Sequence, residues 1–276
     1  MLQLFMQRVK KPISEKRISD YIKKGYADKH GLEYKPWLDV RSFSSKGRVS
    51  RIFGWKTQRI HHLLSSLEKF YFLLLEGEDS IIDIREQYPL IDMELSLSIS
   101  KYVGIKNLYY TGSNLPRIFT TDFMVTKIDE NGKKKDFART LKYAAELERD
   151  IIIEKFEIER RYWKEKDINW KIVTENEVSK IKARNIGWLH SHKSLDIFMD
   201  YEGNIDALPA ALIDALAKYS GEPIKDILNR FDSRKKLKEG TALKLLRHLL
   251  ANKVIKADMD KKIDLALTTK EFILTE

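Results

Sequence analysis

The chain has 276 residues, with 51 Lys and Arg against 41 Asp and Glu, a net charge of +10. A 43% apolar content supplies a packed core and excludes a wholly disordered chain. The absence of cysteine excludes disulfide scaffolds, thiolate zinc sites and cysteine nucleophiles. The longest uninterrupted apolar run, Phe70–Leu75, is far short of the roughly 20 residues of a membrane span. The stretch from Met1 to Lys11 lacks the pattern of a signal peptide. A soluble, cytoplasmic protein is expected. The charge is uneven: residues 1–62 hold 15 basic and 5 acidic side chains, whereas residues 63–276 hold 36 of each. A basic front on a neutral body points to a polyanionic partner, most simply nucleic acid. Surface lysine serving solubility is the plainer alternative.

In chain order, Ser14-Glu15 opens a helix with an apolar stripe of Ile18, Tyr21 and Ile22, and Gly25 stops it. Residues 31–62 read as loop and short strand. A helix is expected over Leu67–Glu76, a strand over Ser80–Leu90 and a helix over Met93–Val103. Asp122–Ile128 and Phe137–Lys142 form a hairpin around Asn131-Gly132. A long helix over Ala144–Lys166 and a strand over Trp170–Thr174 complete a mixed α/β catalytic domain, residues 1–175. Residues 176–276 form a second, mainly helical domain. Its helices are expected at 178–190, 208–219, 224–229 and 241–251, with terminal strands at Val254–Ile255 and Ile263–Leu267. Three helices and a hairpin suit a winged-helix-like module; a plain bundle fits nearly as well.

Asp122 lies on one hairpin strand, and Thr140 and Lys142, two apart, project together from the other. An acid, a second polar group and a lysine at one sheet edge can hold a divalent cation and a water, with the lysine acting on the water or the phosphate. Glu68 on the preceding helix supplies a further carboxylate. Spacing alone is not specific, since an Asp followed by T-x-K is common by chance.

A resemblance sharpens this. The matching blocks are Tyr34-Lys35-Pro36-Trp37-Leu38, Gly47-Arg48, Arg51-Ile52, Lys56-Thr57 and His61-His62-Leu63-Leu64-Ser65-Ser66-Leu67-Glu68. They continue with Asp83-Ile84-Arg85-Glu86-Gln87-Tyr88-Pro89-Leu90, Thr121-Asp122-Phe123, Leu141-Lys142 and Glu157-Ile158-Glu159-Arg160-Arg161-Tyr162-Trp163. In this order and spacing the chain resembles the TnsA family, the endonuclease subunits of Tn-seven-type heteromeric transposases. The match is good over the first 175 residues and poor over the last hundred. It implies a restriction-endonuclease-like fold and Mg²⁺-dependent cleavage at the 5′ ends of a transposon in a cut-and-paste assembly, with Mn²⁺ as substitute. It also implies double-stranded DNA, a TnsB-like transposase and an ATP-dependent TnsC-like regulator as partners. The family's acidic helix residue falls on Glu68, its strand aspartate on Asp122 and its strand lysine on Lys142. Two residues before that lysine, where Gln or an acid is expected, stands Thr140, a weaker ligand than a carboxylate. The main-chain carbonyl of Leu141 is the alternative ligand.

Glu159 is a candidate for supporting the site, or the partner in an i,i+4 helix salt bridge. Arg48, Arg51, Lys56, His61, His62, Arg85 and Gln87 are candidate DNA contacts. For the adjacent histidines the alternative is a structural part at the helix entry, and for Arg85 a structural ion pair. The competing functions are a stand-alone restriction or repair nuclease and a non-catalytic DNA-bridging subunit. If the basic front approaches DNA, deleting residues 1–30 lowers the slope of log K against log salt in a filter-binding titration. An unchanged slope assigns the charge to solubility.

Overall fold

The computed structural model of the chain describes residues 15–26, 28–38, 40, 49–105, 118–194 and 205–274. It forms two compact units, one ending at Val178 and one beginning at Ser179. Among the described residues no helix is long and apolar enough to cross a membrane.

The first unit is built on a mixed four-stranded sheet in the order β3-β4-β5-β6. Strand β3 (Ile81–Pro89) pairs antiparallel with β4 (Thr120–Ile128), and β4 pairs antiparallel with β5 (Lys134–Leu141). Strand β6 (Asn169–Val173) runs parallel to β5. The β4–β5 turn is the expected Asn131-Gly132, with Gly132 at φ +77° where a side chain would be strained. On one face lies α4 (Asp150–Glu165), which with α3 (Met93–Val103) encloses Leu90, Ile99, Met124, Ala138, Ile158, Tyr162 and Trp163. On the other lie α2 (Ser66–Gly77) and a hairpin of β1 (Ser50–Gly54) and β2 (Arg59–Leu63). Helix α1 (Glu15–Lys23) packs Ile18 with Trp37, Leu38 and Ile118. The long helix expected from Ala144 begins later. Residues Ala144–Glu146 wind as a 3₁₀ turn instead, held by the Lys142–Glu146 ion pair at 2.7 Å and by the Ala144 N–H donating to Glu175 at 2.9 Å.

A buried ionic cluster ties the β1–β2 hairpin to the sheet. Both oxygens of Glu86 receive the Arg59 guanidinium, at 2.8 and 2.6 Å, and the His61 ring nitrogen Nδ1 lies 2.7 Å from Glu86. The His62 amide donates to the same carboxylate at 3.0 Å, and His61 Nε2 lies 2.7 Å from the Thr57 hydroxyl. His61 is therefore fully buried and cannot touch DNA phosphate; it belongs to the hairpin's anchorage. It also explains Gly54, where a Cβ would come within 2.5 Å of the His61 ring.

The second unit is a helical cluster. Leu189 of α5 (Lys180–His190) packs with α6 (Leu208–Lys218), α7 (Ile224–Lys235) and α8 (Thr241–Ala251) around Leu212, Leu216, Ile227, Leu245 and Leu249. The expected terminal strands do not form where the β-branched residues suggested. The carbonyls of Leu265 and Leu267 instead accept the Lys225 and Ile224 amides at 3.0 Å each, so this segment satisfies the otherwise unpaired first turn of α7. Ile255 and Ile263 pack on the helical core. The strands that form are β7 (Lys256–Ala257) and β8 (Ile273–Leu274), two residues each, with the single turn α9 (Thr269–Phe272) before β8.

Burial pushes the Glu86 carboxyl up, but the charges and hydrogen bonds of His61 and Arg59 outweigh it and hold it well below the usual carboxylate range. The folded value thus lies below the unfolded one, so this stabilisation is complete above about pH 4.3 and is lost as pH falls below it. Glu86→Gln, which leaves Arg59 buried without its charge partner, is expected to lose about 3–5 kcal/mol in urea unfolding. Its stability should also fall less steeply than wild type below that pH.

Candidate active site

Helix α2 begins with Ser65 as N-cap, its hydroxyl accepting the Glu68 amide at 3.1 Å. Glu68 occupies the third helical position and folds back to accept the Leu64 amide at 2.8 Å, a variation on the capping box. This fold-back keeps the carboxylate at the helix start, buried against the sheet. Across from it is Asp122 on β4, whose Oδ2 accepts the Leu141 amide from β5 at 2.7 Å.

The sheet departs from simple alternation here. On β3, Arg85 and Tyr88 lie together, the guanidinium carbon 5.3 Å from the ring centroid, and Tyr88 contacts Trp163 of α4. Between them Glu86 and Gln87 both turn to the opposite side, toward β2 and α2. Gln87 accomplishes this with a left-handed backbone, φ +50°, a conformation that costs a non-glycine residue roughly 1–2 kcal/mol. The ladder carries the pairs Glu86↔Phe123 and Tyr88↔Thr121 on either side, with no Gln87↔Asp122 pair between them. On β4 the same slip appears. Met124 and Thr121 both face α4, Thr121 accepting the Trp163 indole N–H at 2.7 Å, while Phe123 meets Tyr71 of α2.

Three candidate DNA contacts change meaning as a result. Arg85 is buried, with Nε 3.2 Å from Asp83 and Nη2 2.9 Å from Asp136, so it is a structural ion pair. Gln87 does not share a face with Arg85 as period-two alternation required; it is buried, with its amide 3.4 Å from Glu68. His61 is the buried anchor described above. Among the others, Arg51 is exposed on β1, and Lys56 donates from Nζ to the Ile81 carbonyl at 2.8 Å. His62 is half-buried, its Nδ1 accepting the Val40 amide at 3.4 Å, and Arg48 lies outside the described residues.

On the α4 side, the Thr140 hydroxyl donates to Glu159 Oε2 and accepts the Trp170 indole N–H at 3.0 Å. Its proton is thereby committed to Glu159, away from Asp122. Glu159 is fully buried, and its Oε1 makes no hydrogen bond; Lys155 Nζ stands 3.6 Å away, the i,i+4 partner. Lys142 follows directly on β5 and pairs with Glu146. Lys155 was not among the candidates read from sequence. Its helical spacing to Glu159 was the available signal.

The electrostatics are those of a cluster held together against its own charge. Burial, then the facing Asp122, raises Glu68 to about 8. Burial raises Asp122 against the opposing pull of Lys155, the Leu141 amide and Lys142. Burial raises Glu159 to about 7, against Lys155 and the Thr140 hydrogen bond. Among the described residues no group of three or more His, Cys, Asp and Glu side chains is arranged as a metal cage. The donor set nevertheless fits a hard divalent cation of the magnesium type. Such an ion binds through one or two carboxylates and fills its remaining positions with water and substrate phosphate. Glu68 and Asp122 are two such carboxylates, mutually repelling without a cation.

A family model described as TnsA-like endonuclease N terminal matches residues 78–175, and one described as TnsA endonuclease C terminal matches residues 177–259. The chain is also 37% identical over 256 residues to Transposon Tn7 transposition protein TnsA of Escherichia coli, covering 93% of this chain and 90% of that protein. The chain belongs to the TnsA family. It is therefore a transposition endonuclease, and the family accords with dependence on a divalent metal. The N-terminal family match takes in Asp122, Lys142 and Glu159 and begins after Glu68.

Glu68 titrates at about 8 in the folded protein and about 4.3 unfolded, so the folded state binds more protons between those values. Stability in EDTA is thus expected to fall as pH rises through this window. Melting curves from pH 5 to 8 should slope downward for the wild type and less steeply for Glu68→Gln.

Proposed function

We propose that the chain cuts double-stranded DNA at the 5′ ends of a transposon, with Glu68 and Asp122 holding Mg²⁺ and Mn²⁺ as its substitute. The observation that carries this reading is the pair of facing carboxylates, Glu68 buried at the start of α2 and Asp122 half-buried on β4, beside Lys142. When bound, the cation supplies an activated water and neutralises charge on the scissile phosphate. Asp122 and Glu68 position it, aided by the main-chain carbonyl of Leu141. Lys142 places a positive charge beside Asp122, where it would stabilise negative charge developing on the scissile phosphate. Its ion pair with Glu146 favours this electrostatic role over proton abstraction. Glu159, with Thr140, Trp170 and Lys155, supports the site from behind the sheet. Thr140 serves there as a brace for Glu159, and its hydroxyl is not counted as a ligand.

The remaining reading follows the family. A TnsB-like transposase and a TnsC-like ATP-dependent regulator license the cut, which restrains an otherwise damaging nuclease. The first 175 residues carry the chemistry. Residues 176–276 act as an interaction and DNA-binding module in the cytoplasm. The exposed Arg51 and the basic segment before residue 63 neutralise phosphate without reading sequence.

The test is strand-specific cleavage of transposon-end DNA with Mg²⁺, with and without TnsB- and TnsC-like partners. Wild type should cut the 5′ ends only in the assembly. Asp122→Ala should abolish cleavage with an unchanged circular-dichroism spectrum. Retained Mg²⁺-dependent nicking by Asp122→Ala overturns the site, and efficient specific cutting by the chain alone favours a stand-alone nuclease.

A further inference from the structure

Gln87 is buried, left-handed and placed between the two carboxylates of the site. Its Nε2 donates to Glu68 Oε2 at 3.4 Å, and the side chain also favours the charged form of Asp122. Its Oε1 accepts the Thr120 hydroxyl at 3.2 Å, and the NH₂ end faces Glu68, whose ionised carboxylate can only accept. The backbone is anchored as well, since the Gln87 carbonyl accepts the Trp37 amide at 3.2 Å. On regular alternation this side chain would share the α4 face with Arg85. Only the left-handed residue brings it to the face of Glu68.

On β5, Thr140 turns its hydroxyl to Glu159 and to the Trp170 indole instead. The neutral polar side chain beside Glu68 is therefore the carboxamide on β3. We propose that Gln87 is a metal-site residue, contributing from β3 the neutral polar group that Thr140 does not contribute from β5. Without a cation its NH₂ end bridges the carboxylates and holds them together. With a cation, a half-turn of the amide exchanges the two ends and offers the carbonyl oxygen, while the NH₂ end can donate to the Thr120 hydroxyl in its place. Oxygen is the donor that a hard divalent ion requires. A strained backbone at one position, maintained by Trp37 and Thr120, fits a residue retained for its side chain rather than for the strand.

The inference rests on Glu68 and Asp122 as the metal-binding pair, and the experiment separates the two. Mn²⁺ affinity is measured on the full chain without DNA, by electron paramagnetic resonance, together with the rise in melting temperature that Mn²⁺ produces. Asp122→Ala tests the pair; Gln87→Met and Gln87→Glu test the inference. Gln87→Met, close in size and apolar, should weaken Mn²⁺ binding about tenfold or more. Gln87→Glu should lower the melting temperature in EDTA, since it adds a third carboxylate, and enlarge the Mn²⁺-dependent rise above that of wild type. A merely structural glutamine would not produce that larger rise. Wild-type Mn²⁺ affinity in folded Gln87→Met, or an Mn²⁺-dependent rise in Gln87→Glu no larger than wild type, overturns the inference. Should Gln87→Met not fold, Gln87→Glu decides. If wild type binds no Mn²⁺, or Asp122→Ala binds it as tightly as wild type, the carboxylate pair itself fails and the inference with it.

Discussion

Two acidic side chains drawn against each other, Glu68 and Asp122, are the constraint around which the first unit is arranged. In their charged forms Glu68 and Asp122 repel, and burial raises the carboxyl of each. The protein keeps them in place from three sides. The capping fold-back at Leu64 and Ser65 holds Glu68, the Leu141 amide holds Asp122, and the Gln87 amide stands between them. Each restraint comes from a different element, so assembly of helix and sheet is what creates the charge conflict. The proposed cation would relieve it, so the same cluster would be both a local weakness of the fold and the metal site.

The surrounding architecture makes that weakness tolerable. Glu86, adjacent in sequence to Gln87, is satisfied by Arg59, His61 and the His62 amide, and its carboxyl is held low while its neighbour's partners are held high. One acidic residue on β3 thus secures the β1–β2 hairpin to the sheet, and the next donates to Glu68. Behind the sheet, Glu159 is buried with one oxygen unbonded and with Lys155 and Thr140 in attendance. The two sheet faces therefore carry opposite electrostatic duties within a few residues of each other. The local slip in alternation on β3 and β4 is what permits it.

Much of this was legible in the residues. Helix α3 runs over the expected Met93–Val103, and the Asn131-Gly132 turn joins β4 to β5, because capping at Asp92, the left-handed Gly104 and the turn glycine are local devices. Gly25 likewise takes φ +82° where α1 was expected to stop. The strands expected at 254–255 and 263–267 fail for a reason local propensity does not contain. Their backbone groups and apolar side chains are claimed by α7 and the helical core.

The order of elements and the basic front follow from the sequence by itself, since they depend on residue type and spacing, and the ordered motif blocks carry the family and, through it, the candidates Glu68, Asp122 and Lys142. Only the tertiary structure decided the meaning of Arg85, Gln87, His61 and Thr140. Period two put Arg85 and Gln87 on one face and made both candidates for DNA, and a single left-handed residue separated them into a structural ion pair and a neighbour of the carboxylates. Similarly, a hydroxyl on β5 is a candidate ligand until its bonds to a buried glutamate on α4 and an indole on β6 show where it is turned. In each case the deciding partner lies on another element, at a sequence separation over which no local pattern operates.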